Sequence, residues 1–241
     1  MRNLTKAQLA LVLSLVFCSL ATRLAAQEPN APFSTVSGHF ELYRTSGNAV
    51  DSTTGDFYYF GPEKMLINVR QPLDQFLLIE KTVISIYYPD DHRAFRLESE
   101  KPPLLPIVPG LLAALRSDNG IAEYGFKVKS QKMKADTIIT RWFHPKLKKV
   151  GHYDIAEIDR RLAWTNYEMP KSDMRLFTYF QDYQVIDGIN FPHRISSKLW
   201  NKEGLTLEEV AFSKIIPDAE FSDKIQNFRI PDDVPIEYKK W

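Results

Sequence analysis

The stretch GDFYYFGPEKMLINVRQPLDQFLLIEKTVISIYYP, residues 55–89, decides the fold class, because short apolar runs alternate in it with turn residues. In the run KMLINVR (64–70), Met65, Ile67 and Val69 stand at every second position, so their side chains lie on the same side, as in a β-strand with one buried face. Gly61-Pro62 before this run and Pro72 after it mark its ends, since glycine and proline interrupt regular structure. The stretch therefore predicts consecutive short strands joined by tight turns.

The same rhythm continues on both sides of this stretch. Asp187-Gly188 gives the clearest turn, because a two-residue hairpin loop needs positive φ values that aspartate and glycine adopt readily. Besides one strand in 64–70 and two in 76–89, the strand-like segments are residues 37–44, 53–60, 136–144, 151–159, 161–169, 174–186, 189–200 and 205–216. The sequence thus predicts a mainly β protein of about 10–11 antiparallel strands.

The start of the chain has the pattern of a secretory signal peptide. A basic beginning precedes an apolar run over residues 9–20, and Ala25-Ala26 offers small side chains for cleavage. We therefore expect residues 1–26 to be removed and residues 27–241 to form a single domain in the periplasm.

Removal of that segment changes the composition that matters for function. Cys18, the single cysteine, leaves with it, so the exported domain would have no disulfide, as is common in a bacterial periplasm. Three basic residues and no acid also leave, and the formal charge changes from +1 to −2. A nearly neutral chain gives no support for nucleic-acid binding. About 215 residues remain, which is enough for one hydrophobic core.

Residues 102–120, PPLLPIVPGLLAALRSDNG, form a strongly apolar break in the β pattern. Leu111, Leu112 and Leu115 belong to a run of good helix formers that follows a proline and ends before a glycine, so a short apolar helix is predicted. The run is too short to span a membrane. Two interpretations stay open: a core helix that closes one end of a barrel, or a cover over an apolar cavity.

The sequence shows no catalytic or metal-binding constellation. Its five histidines form no HExxH or i, i+4 pair, and it contains neither a glycine-rich phosphate loop nor a GxSxG elbow. Asp154, Glu157 and Asp159 are interpreted as the solvent face of one strand, and Asp90-Asp91-His92 as a turn. We therefore expect no enzymatic activity, no metal and no cofactor.

Several strands are apolar on both faces, which a sheet with one solvated face does not require. The runs are DFYYF (56–60), FLLI (76–79), VISIYY (83–88) and RLFTYF (175–180). One face of each strand would meet the core, while the other would meet a helix, a partner or an apolar ligand. A large core that uses both faces is the alternative.

These segments resemble LolA-type periplasmic carriers of outer-membrane lipoproteins. In residues 55–89 the resemblance is carried by Gly55, Pro62, Gln71, Pro72, Tyr87 and Pro89. The hairpin DYQVIDGINFPHRI (182–195) resembles one in related lipoprotein-sorting proteins, and NFRIPDDV (227–234) resembles their closing segment. The likeness spans most of the chain that follows the predicted signal peptide.

The resemblance implies a fold and a set of ligand-binding residues. Members of that family form an unclosed antiparallel β-barrel with an apolar concave face, covered by short helices that act as a lid over acyl chains. Strand alternation from Gly61 then predicts a hydrophobic cavity lined by Phe57, Tyr59, Met65, Ile67, Val69, Leu77, Ile79, Ile84 and Ile86. The lid would contain Leu111, Leu112 and Leu115.

Three features depart from the family pattern. Gly61 stands where the family has an arginine that hydrogen-bonds the lid shut, so this lid would be held mainly by apolar contact. Residues 27–33 are too few for the amphipathic helix with which the family usually begins. Lys81 replaces the glycine of the turn that follows residues 77–79.

The resemblance implies a non-enzymatic periplasmic carrier that binds the acyl chains of lipoproteins or lipids and transfers them to the outer membrane. Its partners would be inner- or outer-membrane proteins, with peripheral membrane contact only and no nucleic acid. The alternative is an extracytoplasmic sensor or scaffold that uses the same fold to bind an envelope protein or a lipid signal. Apolar patches outside the cavity would favour that alternative. An enzyme acting on lipids or glycans would need an acid–base pair that the sequence does not show.

Overall fold

The computed structural model describes residues 33–61, 64–80, 82–98, 122, 125–146, 151–169 and 173–240. Its strands are β1 (Val36–Ser46), β2 (Ala49–Tyr59), β3 (Lys64–Gln71), β4 (Gln75–Glu80), β5 (Val83–Tyr88), β6 (Arg93–Glu98), β7 (Lys127–Lys134), β8 (Thr137–Phe143), β9 (His152–Ile158), β10 (Arg161–Met169), β11 (Met174–Ile186), β12 (Ile189–Asn201), β13 (Gly204–Pro217) and β14 (Ile236–Lys240). A short helix, α1, spans Asp223–Gln226. The predicted signal peptide 1–26 and the predicted lid residues Leu111, Leu112 and Leu115 lie outside the described residues.

All the described strands belong to one sheet, in the order β14-β6-β5-β4-β3-β2-β1-β13-β12-β11-β10-β9-β8-β7. Neighbouring strands are antiparallel except β14, which pairs in parallel with β6. β14 and β7 lie at opposite ends of this order, so the described sheet does not close on itself. The predicted unclosed antiparallel β architecture is therefore confirmed.

The sheet has 14 strands among the described residues, instead of the predicted 10–11 or so. The additional strands are β6, β7 and β14. β7, KVKSQKMK, is exposed along its whole length and rich in lysine, so it lacks the apolar alternation that marks a strand in a sequence. β14 has 5 residues and is held by pairing with β6, from Ile236 opposite Ala94 onward. That contact is remote in sequence, and no local pattern predicts it.

Most connections are tight hairpins, as the turn residues predict. Asp187 and Gly188 join β11 to β12 with φ values of 47° and 82°, the left-handed geometry that a two-residue hairpin loop requires. Asp90, Asp91 and His92 also lie in a turn, as predicted, where the His92 amide donates to the Pro89 carbonyl at 3.1 Å.

One face of the sheet carries the hydrophobic core, and we call it the inner face. Both halves of the sheet contribute buried side chains to this one cluster, including Val36, Phe40, Phe57, Tyr59, Met65, Ile67, Val69, Ile79, Ile84, Ile155, Leu162, Phe180, Phe191, Ile195, Val210 and Phe212. Phe57 and Phe191 both meet Phe212 edge-on, with ring centroids 5.9 and 5.8 Å away. The core therefore runs without a break from β2 to β12.

The opposite, outer face is covered over β2–β6 by residues 218–235, a segment that contains α1. Phe221 packs edge-on against Tyr58, with ring centroids 5.7 Å apart, and Phe228 stacks on Phe76 at 4.7 Å. The second apolar face of these strands is thereby shielded. No helix in the described ranges is long and apolar enough to cross a membrane.

Gly55 on β2 allows two neighbours to approach closely. A Cβ atom at this position would lie within 2.9 Å of the Phe40 ring and closer still to the Asn68 carbonyl oxygen. Both contacts would be shorter than van der Waals distance. The missing side chain therefore lets the ring of Phe40 fill the inner face and lets β3 pair closely with β2.

Gly55→Ala is expected to lower the free energy of unfolding by about 1–3 kcal/mol, because an added methyl group in a filled core displaces its neighbours. Urea denaturation followed by tryptophan fluorescence measures the change. Ser52→Ala, at the exposed end of the same strand, is the control and should change it by less than about 0.5 kcal/mol. Equal losses for both substitutions would contradict this packing role.

Candidate ligand-binding face

The nine predicted cavity residues all lie on the inner face. Pairing across β2–β5 arranges eight of them in two rows, one of Phe57, Ile67, Leu77 and Ile86 and one of Tyr59, Met65, Ile79 and Ile84. Val69 is the ninth. Leu77 and Ile86 are partly buried against the core cluster, and the other seven are buried within it. Together the nine side chains form a continuous apolar surface across four strands.

Two turns preserve the alternation that this surface needs. Tyr59 pairs with Met65 across the turn between β2 and β3, and Val69 pairs with Gln75 across the turn between β3 and β4. A slip of one residue in either turn would move every following side chain to the other face. These two turns therefore set the part of the candidate face that β2, β3 and β4 carry.

Aromatic side chains from the second half of the chain also lie on the inner face, and they are not among the nine predicted residues. Phe180, Phe191 and Phe212 are at most 5% exposed. The alternation of side chains along β11, β12 and β13 could have predicted, for each strand by itself, the face on which its ring lies. Only the pairing of β13 with β1 shows that this face continues the surface of β2–β5.

The turn between β2 and β3 explains why Gly61 departs from the family pattern. Its φ is 115°, which residues with a Cβ atom rarely adopt. The Phe60 amide donates to the Lys64 carbonyl at 3.0 Å and closes this turn. An arginine at this position would strain the turn, so the local backbone favours glycine over the family's arginine.

Two polar side chains interrupt the inner face near β9–β11. The Tyr183 hydroxyl donates to the Leu162 carbonyl at 2.7 Å, and burial raises the pKa of that hydroxyl. Glu157 lies on the same face of β9 as Ile155 and is half-buried. The loss of hydration raises the pKa of its carboxyl above the ordinary value. This end of the inner face therefore disfavours negative charge.

A separate cavity of about 380 Å³ lies on the outer face, between β4–β6 and residues 228–236. Arg96 lines it, and its Nε donates to the buried Ser85 hydroxyl at 3.3 Å. The lining combines arginine side chains with the carboxylates of Glu80 and Asp232, so charges of both signs face the cavity. None of the nine predicted residues lines it, and its polar lining does not suit an acyl chain.

The carboxylates of β9 do not share a solvent face, so that interpretation is wrong. Asp154 is 8% exposed on the outer face and accepts hydrogen bonds from Arg141 Nε and Nη2 at 2.6 and 2.7 Å. Glu157 lies on the inner face, because a spacing of three residues places side chains on opposite faces of a strand. Asp159 lies in the turn that follows β9. Among the described residues, no group of three or more His, Cys, Asp or Glu side chains could hold a metal ion.

Comparison with known proteins identifies the fold. No family model matches the chain, and no match is found among curated proteins. Solved structures do match. A LolA superfamily protein from Nitrosomonas europaea is 12% identical with a TM-score of 0.60, over 82% of this chain and 91% of that protein. A DUF1329 family protein from Desulfovibrio piger is 14% identical with a TM-score of 0.61, over 86% of this chain and 93% of that one.

A putative outer membrane lipoprotein-sorting protein domain from Vibrio parahaemolyticus has the same fold. It is 13% identical with a TM-score of 0.58, over 86% of this chain and 94% of that domain. At such identities the likeness shows the fold alone. The resemblance to LolA-like proteins is thus confirmed as a shared fold across most of the chain.

Glu157→Gln is expected to stabilise the protein near neutral pH and to have little effect in acid. Folding raises the pKa of the Glu157 carboxyl, so its contribution to stability is complete below the unfolded pKa and is lost as the pH rises through the folded pKa. Glutamine does not titrate, so the variant lacks this loss. Urea unfolding midpoints measured from about pH 4 to about pH 8 test the expectation.

Asp159→Asn, at an exposed carboxyl in the next turn, is the matched control for this pH series. A stability difference between Glu157→Gln and the wild type that stays constant over the whole pH range would contradict the role of burial. So would a difference that grows as the pH falls.

Proposed function

We propose that this protein is a non-enzymatic carrier that binds the acyl chains of lipids or lipoproteins on its inner face. The observation that carries the proposal is the continuous apolar surface of β2–β5, where Phe57, Ile67, Leu77 and Ile86 form one row across four strands. The shared fold with a LolA superfamily protein and a putative lipoprotein-sorting domain supports a role in lipoprotein or lipid transport.

Acyl-chain binding requires the inner face to open. Seven of the nine side chains are at most 8% exposed, so a ligand must replace contacts that they already make within the core. Burial of a dozen methylenes contributes roughly 10 kcal/mol, at about 0.8 kcal/mol each. Part of that gain is offset by the apolar contacts that open. The exchange of one apolar contact for another is then close to balanced, which suits a carrier that must also release its cargo.

Other parts of this proposal rest on the sequence and on its resemblance to LolA-type carriers. Residues 1–26 would direct export to the periplasm, and residues 27–241 would form the carrier domain. Leu111, Leu112 and Leu115 would form the lid over the inner face. Inner- and outer-membrane proteins would serve as donor and acceptor, with transfer of the acyl chains to the outer membrane.

Native mass spectrometry of the protein purified from a bacterial cell envelope tests the proposal. We expect mass increments that match bound lipids or acylated peptides, and extraction with organic solvent should remove them. A protein that is consistently free of lipid and carries a stoichiometric protein partner would contradict the carrier function.

Leu77→Glu is expected to weaken the binding of a fluorescent fatty acid at least tenfold, or about 1.4 kcal/mol, because a carboxylate in an apolar site loses its hydration. Leu77 is only partly buried, so the variant should still fold, and circular dichroism checks this. Val185→Glu, at a position 70% exposed beside the β11–β12 hairpin, is the matched control and should bind as the wild type does. Unchanged binding by folded Leu77→Glu would place the ligand elsewhere.

A second candidate function is an extracytoplasmic sensor or scaffold that binds a partner in the envelope. Exposed apolar side chains outside the inner face favour it. Tyr179, Trp200, Leu205 and Leu207 are between 37% and 42% exposed on the outer face of β11–β13. Cross-linking in intact cells that recovers one envelope protein in stoichiometric amounts would support this function. Recovery of lipid alone would support the carrier.

A further inference from the structure

Three of the four runs that are apolar on both faces share one explanation. Their inner sides meet the core, and their outer sides are covered by residues 218–235. RLFTYF, residues 175–180 of β11, is different. Phe180 is buried on the inner face, whereas Phe177 and Tyr179 lie on the outer face, and Tyr179 is 40% exposed. The outer side of this strand therefore needs another explanation.

The outer side chains of β10–β13 form an apolar surface that we call the outer patch. It consists of Trp164, Phe177, Tyr179, Trp200, Leu205 and Leu207. Trp164 pairs with Tyr179, and Trp200 pairs with Leu205. Lys198 lies between the members, because it pairs with Phe177 on one side and with Leu207 on the other.

Stacked rings give the outer patch a fixed form. Trp164 stacks on Phe177 with ring centroids 5.3 Å apart, and Phe177 lies 4.6 Å from Tyr179. The Arg175 guanidinium lies over the Trp200 ring at 5.7 Å. The solvated face of an antiparallel sheet is ordinarily polar. A cluster of exposed rings and leucines on such a face marks an interaction site.

On the outer face of β7–β13, positive charges are in excess of negative ones. The acidic side chains on the outer face of β8–β13, namely Asp154, Glu168, Asp182 and Glu209, each form an ion pair with an arginine of a neighbouring strand. Lys198 has no carboxylate partner in the described part of the chain. The lysines of β7 likewise have none there.

The lysines of β7 can be explained as protection of an open sheet edge against pairing with another chain. Lys198 cannot, because β12 is an interior strand with β11 and β13 on its two sides. Its positive charge stands within the outer patch itself. The combination to be explained is therefore a rigid aromatic surface with an unpaired cation at its centre.

We propose that the outer patch docks on the surface of an anionic lipid bilayer. Tryptophan and tyrosine favour the membrane–water interface, because their rings are apolar while their N–H and O–H groups stay hydrated. Unpaired lysines are attracted to anionic lipid phosphates. An anionic bilayer presents uniform negative charge, which complements the excess of positive charge on this face. Protein interfaces, in contrast, usually match charges of both signs.

This inference goes beyond the proposed carrier function and does not depend on it. Phe177 and Phe180 point to opposite faces of β11, so docking through the outer patch leaves the inner face unobstructed. Vesicle binding and fatty-acid binding are separate measurements, and either can fail while the other succeeds.

Co-sedimentation of the full protein with lipid vesicles tests the inference. We expect binding to vesicles of phosphatidylglycerol and phosphatidylethanolamine, and at least tenfold weaker binding to phosphatidylcholine alone. The binding should weaken when salt is raised from about 0.05 M to about 0.5 M, since salt screens the lysine–phosphate attraction. Lys198→Glu and the double variant Tyr179→Ser, Trp200→Ser should each reduce it at least tenfold.

Two controls match these variants. Lys224→Glu reverses an exposed lysine on α1, and Val185→Ser removes an exposed apolar side chain outside the outer patch. Both should bind vesicles as the wild type does, and the outer-patch variants should bind the fluorescent fatty acid as the wild type does. Wild-type protein that stays in solution with anionic vesicles would overturn the inference. So would equal losses in the controls, or an outer patch that captures one envelope protein without vesicle binding.

Discussion

The registers set by the two turns that join β2, β3 and β4 decide what this protein can do. Because side chains alternate along a strand, the pairing of Tyr59 with Met65 and of Val69 with Gln75 places the apolar residues of β2, β3 and β4 on one face. A slip of one residue would turn that surface toward residues 218–235. The tight backbone at Gly61, with φ of 115°, belongs to the first of these turns. The glycine that departs from the family pattern thus supports the register on which the candidate ligand face depends.

The two faces of the sheet differ in how they are covered, and this difference suggests separate roles. The inner face is one apolar cluster from β2 to β12, joined by the edge-on contacts of Phe57 and Phe191 with Phe212. The outer face is shielded over β2–β6 by the C-terminal segment, yet aromatic side chains remain exposed over β10–β13. In the proposed functions, the inner face would hold the acyl chain and the outer patch would meet the membrane.

The sequence predicts the local parts of this arrangement well. β10 and β11 match the predicted segments 161–169 and 174–186 at both ends, and the nine residues that are predicted to line a cavity share one face, as strand alternation requires. What local patterns miss depends on contacts between distant segments. β14, for example, exists because it pairs with β6. The wrong assignment of Glu157 to a solvent face has a different, local cause, since it treats an odd spacing along one strand as one face. The four runs that are apolar on both sides are visible in the sequence, but only the path of residues 218–235 shows which ones are covered.

Intermolecular NOEs between a bound fatty acid and methyl-labelled protein test the central claim most directly. The account predicts NOEs from the acyl methylenes to the methyl groups of Leu77 and Ile86 on the inner face, and none to Leu205 and Leu207 on the outer patch. NOEs confined to Leu205 and Leu207, or no NOEs at all from a saturating fatty acid, would contradict acyl-chain binding on the inner face.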